Sequence, residues 1–139
     1  MQRTAMRELA FKLIYEIEVQ KGESEEHIQI FVENNEITDE KVIEHLTNVV
    51  KGLKANEAEI DELISKNLKE NWSLNRISKI TLSLLKLAIY EMVYTEVPYK
   101  VAINEAVELA KKYADEAAPT FVNGILASVV KEKNLNKED

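Results

Sequence analysis

The sequence predicts an all-α protein. Apolar residues recur at spacings of three and four along most of the chain, and no stretch alternates with period two between turn residues. Only three glycines and two prolines interrupt these patterns. At 139 residues and 45% hydrophobic content, the chain is long enough to bury one core, so we expect a single domain over residues 1–139.

One apolar stripe predicts the first helix, which ends at Lys21-Gly22. The members of the stripe are Met6, Leu9, Ala10, Leu13 and Ile17. A second helix is expected to begin near Ser24, whose hydroxyl can cap it, and to run to Asn34-Asn35.

Local sequence features also predict a third and a fourth helix. Asp39 and Glu40 suit the positive end of a helix dipole, so the third helix begins there. The fourth is amphipathic, and breaks are expected between Gly52 and Asn56 and at Asn71.

Residues 76–94 differ because two apolar stripes run along them, which predicts a helix at the centre of a bundle. The first stripe is Ile77, Ile80, Leu84 and Leu87, and the second is Leu82, Leu85, Ile89 and Met92. A remaining polar strip is expected to reach solvent: Lys79, Ser83, Lys86 and Tyr90.

Pro98 and Pro119 are each placed to open one of the last two helices. Asn123-Gly124 is a turn signal by composition, but the apolar spacing around it is helical. Gly124 costs about 1 kcal/mol of helix propensity relative to alanine, so we expect a close approach by another backbone, that of a neighbouring helix or of a bound strand. Residues 131–139 are expected to fray.

Composition argues against most enzyme classes. The chain has no cysteine, which excludes disulfides, thiolate nucleophiles and cysteine-based metal sites and suits a reducing cytoplasm. His27 and His45 lie on different helices without a helical metal-ligand partner, and no glycine-rich phosphate loop is present. The amino terminus is too charged for a signal peptide, and no segment is long enough to span a membrane. We therefore expect a cytoplasmic protein without enzymatic activity, metal or cofactor.

The net charge of −7 is concentrated in the middle of the chain. Residues 22–75 contain five basic and thirteen acidic side chains, whereas residues 1–21 contain four and three, and residues 76–139 contain nine of each. The two ends can therefore form a locally basic surface, while the middle repels phosphate or faces a basic partner.

Basic and aromatic residues at the two ends point to RNA. Arg3 and Arg7 are one helical turn apart, so both guanidinium groups are expected on one face. Lys100 and Phe121 lie in the first turns of the last two helices, where free backbone N–H groups favour anions. Cationic side chains that track phosphates and exposed rings that stack on bases suit single-stranded RNA. The alternatives are a solvated face for the arginines and a core position for Phe121.

Four stretches of the chain together resemble the bacterial transcription antitermination factor family NusB. They are "RELAFKLIYEIEV", "RISKITLSLLKLAIYEM", "VPYKVAINEAVELAKKY" and "PTFVNGIL". The resemblance spans residues 3 to about 131, with the motifs in the family's order and at its separations.

This resemblance implies about seven helices packed as two helical subdomains. It also implies a protein that binds the boxA element of transcripts as single-stranded RNA, together with the ribosomal protein NusE, within an RNA polymerase antitermination complex that acts notably on ribosomal RNA operons. Matching the motifs assigns Arg3, Arg7, Lys100, Phe121 and Asn123 to RNA, and Tyr15 and Thr81 to NusE. Two alternatives stay open: the similar RNA-binding domain of ribosomal RNA cytosine methyltransferases, and an interaction module or homodimer without RNA binding of its own.

Overall fold

The structure is a computed structural model that describes residues 2–136. Within that range the chain forms seven α-helices and one 3-10 turn, Leu74–Arg76, and no strand. The helices are α1 (Arg3–Gln20), α2 (Ser24–Asn34), α3 (Glu40–Ala55), α4 (Glu57–Lys66), α5 (Lys79–Tyr94), α6 (Tyr99–Tyr113) and α7 (Ala118–Glu132). The predicted all-α class is confirmed. None of the helices described is long and apolar enough to cross a membrane.

The helices pack as two groups that share one core. Helices α1, α2 and α3 contact one another, and so do α5, α6 and α7, with α4 packed against both α5 and α7. Helix α5 also contacts α1 and α3, so it joins the two groups. This arrangement matches the two helical subdomains that the family resemblance implies.

Helix α5 is buried over most of its circumference, as its two apolar stripes predict. Leu85 and Ile89 are fully buried, but so is Ser83, whose hydroxyl donates to the Lys79 carbonyl at 2.7 Å. Lys86 contacts the Glu18 carboxylate at 2.7 Å, and its side chain is only 12% exposed. The expected solvent strip holds at Lys79, which is exposed, but was wrong for Ser83 and Lys86. Lys86 is covered because Glu18 of α1 and Asp61 of α4 supply its ion-pair partners.

The helix ends follow local chemistry in most places. Helix α1 ends where Lys21 and Gly22 have φ values of 61° and 91°, and the Asp39 carboxylate caps α3 by accepting from the Lys41 N–H at 2.9 Å. The expected Ser24 cap was wrong: Glu23 is the cap residue of α2, without a side-chain hydrogen bond, and Ser24 is already helical. Pro98 precedes α6 as its cap residue, whereas Pro119 lies in the first turn of α7 as predicted.

The carboxyl end of α7 is closed by a left-handed cap. Asn134 has φ 56°, its N–H donates to the Lys131 carbonyl at 3.2 Å, and the Leu135 N–H donates to the Val130 carbonyl at 2.9 Å. The Leu135 side chain packs against the core. Residues 131–135 thus have a defined cap geometry, the fraying expected for 131–139 stays a prediction, and residues 137–139 lie outside the described range.

Two helical glycines have opposite surroundings. A Cβ at Gly52 would overlap the ring of Tyr90, so this glycine makes room for a side chain of α5. A Cβ at Gly124 would meet nothing within 4 Å. The expected approach of a neighbouring helix to Gly124 was wrong for the part of the chain described, and an approach by RNA stays a prediction.

Candidate nucleic-acid interface

The candidate interface is built from the start of α1, the start of α6 and the start of α7. A groove of about 430 Å³ lies between α1 and the chain that enters α6. Its lining combines exposed Arg3 with apolar side chains, among them Met6, Val97 and Val101. Val101 is 43% exposed, which leaves an apolar surface beside a free guanidinium group.

Arg7 lines the same groove as Arg3 but is almost completely buried. It is 7% exposed, its Nε donates to both oxygens of Glu91 at 2.9 Å, and its NH1 donates to Glu105 at 2.9 Å. The expectation that Arg3 and Arg7 both present their guanidinium groups to RNA was therefore wrong for Arg7. Helix α1 turns position 7 inward, where carboxylates from α5 and α6 accept hydrogen bonds from its Nε and NH1.

The ion pair around Arg7 affects the protonation of its neighbours. Burial raises the pKa of Glu91, and the Arg7 guanidinium offsets that effect only in part. Burial, and secondarily the charge of Arg7, lowers the pKa of His45, which lines the Arg3 groove. Neutral His45 therefore adds no positive charge to this groove near neutral pH.

A second groove lies between the first halves of α6 and α7. Its volume is about 280 Å³, and Lys100, Asn104 and Asn123 line it together with Tyr99 and Ile103. Lys100, Asn104 and Asn123 are exposed, so a cation and two amide groups face the same space. Amide side chains can both donate and accept hydrogen bonds, which suits the edges of bases.

Phe121 belongs to a short aromatic stack on the surface. Its ring centroid is 6.2 Å from that of Trp72, with an interplanar angle of 36°. Trp72 is 48% exposed, and the guanidinium carbon of Arg76 lies 5.8 Å from the centre of its ring. Phe121 itself is half-buried and packs against the core, so the core alternative holds in part and contact with RNA stays a prediction.

The two residues assigned to NusE differ in exposure. Tyr15 is half-buried, with its ring centroid 6.5 Å from that of Phe11. Thr81 is 6% exposed, and its N–H and hydroxyl both contact the Ser78 hydroxyl, at 3.2 and 3.0 Å. The expectation of a partner-facing Thr81 was wrong, because the residue helps cap the start of α5.

Sequence reasoning missed three exposed residues of this region: Trp72, Arg76 and Asn104. A usable signal for the first two was a lone tryptophan in the polar stretch "KENWSLNR", with an arginine four residues later. Asn104 gave no signal of its own, because only the packing of α6 against α7 brings it beside Asn123. Residues 2–136 contain no cluster of three or more histidine or acidic side chains that could hold a metal ion.

Comparison with known proteins identifies the family. The NusB family model matches residues 4–131. The transcription antitermination protein NusB of Acetivibrio thermocellus is 48% identical over 139 residues, which cover 99% of this chain and 94% of that protein. A solved structure of T. maritima NusB has a TM-score of 0.86 at 36% identity, and it covers 98% of this chain and 97% of its own. A solved complex of the antitermination factors NusB and NusE with double-stranded RNA has a TM-score of 0.84 at 28% identity, covering 94% and 96%. The chain therefore belongs to the NusB family of transcription antitermination proteins.

Proposed function

We propose that this protein binds boxA RNA together with NusE and that the pair joins an RNA polymerase antitermination complex, notably on ribosomal RNA operons. The observation that supports it best is a set of exposed cationic, amide and aromatic side chains along one route from α1 to α7. The similarity to a solved complex of NusB and NusE with RNA supports the choice of partners. The protein works as a binding and assembly factor in the cytoplasm, without catalysing a reaction.

The RNA route begins at Arg3, crosses the start of α6 and reaches the start of α7. Arg3 and Lys100 neutralise phosphates, and the free N–H groups in the first turn of α6 add a positive dipole between them. Asn104 and Asn123 read base edges, and Trp72 with Phe121 stacks bases. Gly124 lies in open space beside Asn123, so an RNA strand can approach the backbone there.

Arg7 contributes to this surface indirectly, by holding the helices that form it in place. Its ion pairs with Glu91 and Glu105 hold α1 against α5 and α6, which places Arg3 next to the start of α6. The Thr4 hydroxyl adds a 2.7 Å hydrogen bond to the same Glu105 carboxylate. Arg7 is therefore a positioning residue for the Arg3 groove.

We propose Tyr15 as a contact with NusE and leave Thr81 out of that surface. Half-buried aromatic residues contribute large contact area at low entropy cost in protein interfaces. When each partner supplies part of one RNA surface, the pair binds RNA more tightly than either protein alone.

A titration of labelled boxA-type RNA and of a scrambled strand, each with and without NusE, tests the proposal. We expect a clear preference for boxA that grows when NusE is added. Equal affinity for the two strands in the presence of NusE contradicts the proposal. Light scattering on the free protein and on the mixture reports whether a homodimer competes with the NusE complex.

A further inference from the structure

The valley between α2 and α3 is an open groove away from the proposed RNA route. The two helices are joined by residues 35–39 and lie side by side, and the groove between them has a volume of about 520 Å³. Helix α2 makes its main helix contacts with α1 and α3, and α6 and α7 make theirs with each other and with α5. We call this valley the α2–α3 groove.

The floor of the α2–α3 groove is apolar. Ile28 and Val50 lie at its base with 9% and 5% of their surface exposed, and Val32 and Ile43 are half-buried along it. Apolar side chains from two parallel ridges are the surface on which a third helix packs. The groove thus offers an apolar floor to a helix, and α2, which forms one of its walls, is about 16 Å long.

The wall formed by α2 is acidic. Glu25, Gln29 and Glu33 recur at spacings of four and line the groove. They belong to a segment, residues 23–44, that contains eight carboxylates and a single lysine. Lys51 and Lys54 on α3 line the far side of the groove and offset only part of this charge.

These eight carboxylates differ from many others in the chain because none of them is in an ion pair within residues 2–136. The ion pairs that the structure describes all use carboxylates outside the segment: Glu8, Glu18, Asp61, Glu62, Glu91, Glu105, Glu108 and Glu132. Like charges that lack counter-charges repel one another, and a cationic partner relieves this repulsion.

We propose that the α2–α3 groove is the docking surface for a basic amphipathic helix of a partner protein. Apolar side chains of that helix, spaced as i, i+3, i+4 and i+7, fill the space over Val32 and Ile43. Its lysines or arginines lie against Glu25 and Glu33. Nucleic acid is the wrong occupant, because phosphates placed against these carboxylates are repelled.

The test uses the full chain and three synthetic helical peptides of about 14 residues. The first has leucines along one face and lysines on both flanks, the second has serines in place of the leucines, and the third has glutamates in place of the lysines. Binding is measured by fluorescence anisotropy at physiological ionic strength, and the site is mapped by amide chemical-shift changes. We expect the first peptide to bind at least about tenfold more tightly than either control and to shift the amides of α2 and α3.

Glu25→Lys and Glu26→Lys form a matched pair of variants. Both glutamates lie exposed in the first turn of α2, but Glu25 lines the groove and Glu26 does not. We expect Glu25→Lys to reduce the affinity for the first peptide several times more than Glu26→Lys does. Equal losses, equal binding of the serine peptide, shifts confined to other helices, or no binding of the first peptide would each overturn the proposal.

Discussion

The Nε atom of Arg7 lies 2.9 Å from both carboxylate oxygens of Glu91, and both side chains are only 8% exposed. The pair joins the first helix to the central helix, far apart in sequence. It explains why a residue that resembles an RNA-binding arginine in the sequence is held in a buried ion pair in the fold.

Replacing Arg7 with alanine is expected to destabilise the protein by roughly 3–5 kcal/mol, because the buried Glu91 and the half-buried Glu105 lose their counter-charge. Arg3→Ala is the matched control, since Arg3 is exposed on the same helix. We expect that control to stay within about 0.5 kcal/mol of the parent. Urea unfolding of both variants at neutral pH measures the difference, and equal stabilities would disprove the structural role of Arg7.

Arg3→Ala is expected to weaken RNA binding for all sequences alike and to reduce the salt slope by about 0.7, the loss of one phosphate contact on a single strand. The measurement is RNA affinity across a salt series, with NusE present. Lys79→Ala, an exposed lysine at the start of α5, serves as the control for a general change in charge. A slope unchanged by Arg3→Ala would remove Arg3 from the RNA surface.

Trp72 provides a direct probe of the aromatic stack because it is the chain's one tryptophan. Binding of RNA is expected to quench its fluorescence, and Trp72→Ala or Phe121→Ala should each lose about 1–3 kcal/mol of RNA affinity. Trp72→Phe keeps a ring and should retain most of the affinity. If Phe121→Ala instead unfolds the protein while Trp72→Ala binds RNA normally, the residues serve the core and not the RNA.

The two helical glycines should respond to alanine in opposite directions. Gly124→Ala has open space and is expected to gain up to about 1 kcal/mol of stability from helix propensity. Gly52→Ala should lose about 1–3 kcal/mol, because the new methyl group displaces the Tyr90 ring. Thermal or urea unfolding tests both, and Gly52→Ala in a Tyr90→Ala background should recover part of the loss.

A loss of RNA affinity in the stable Gly124→Ala variant would support RNA approach at that backbone. Unchanged affinity would place the RNA strand elsewhere on α7.

His45 should make stability depend on pH. Its pKa is lowered from 6.5 in the fold, mainly by burial, so the unfolded chain binds a proton more readily than the folded one. Stability is therefore full above the unfolded pKa and falls as pH drops below 6.5 toward the folded pKa. Urea unfolding between about pH 7.5 and about pH 5.5 should show this slope, and His45→Gln should flatten it. An NMR titration midpoint of His45 at or above its ordinary value would contradict the prediction.

The presence of helices and the central position of α5 were predictable from the sequence. Both depend on side-chain spacing and helix propensity, which are properties of residues close together in the chain. The double stripe of α5 is read directly from residues 76–94, and the prolines and acidic residues near helix starts act within one turn. Exact caps were less predictable: Glu23 and Ser24 are both acceptable starts for α2, and packing decides between them.

The candidate site was predictable only in outline. The order of the motifs indicated that the site lies near the starts of α1, α6 and α7. Arg3, Lys100 and Asn123 are exposed there. Arg7 and Thr81 were misjudged because spacing shows which residues share a helix face but not which neighbouring helix covers it. Trp72 joins Phe121 only through the packing of the segment after α4 against the start of α7.

By itself, the sequence determined the helical class, the family resemblance and the separation of acidic middle from mixed ends, since these depend on composition and on contacts within a few turns. The tertiary structure alone decided which charged groups are free. A guanidinium or carboxylate becomes structural when distant helices bring counter-charges and exclude water, as α5 and α6 do around Arg7. Where neighbouring helices supply no counter-charge, as along α2, the charged groups stay at the surface and are accessible to another molecule.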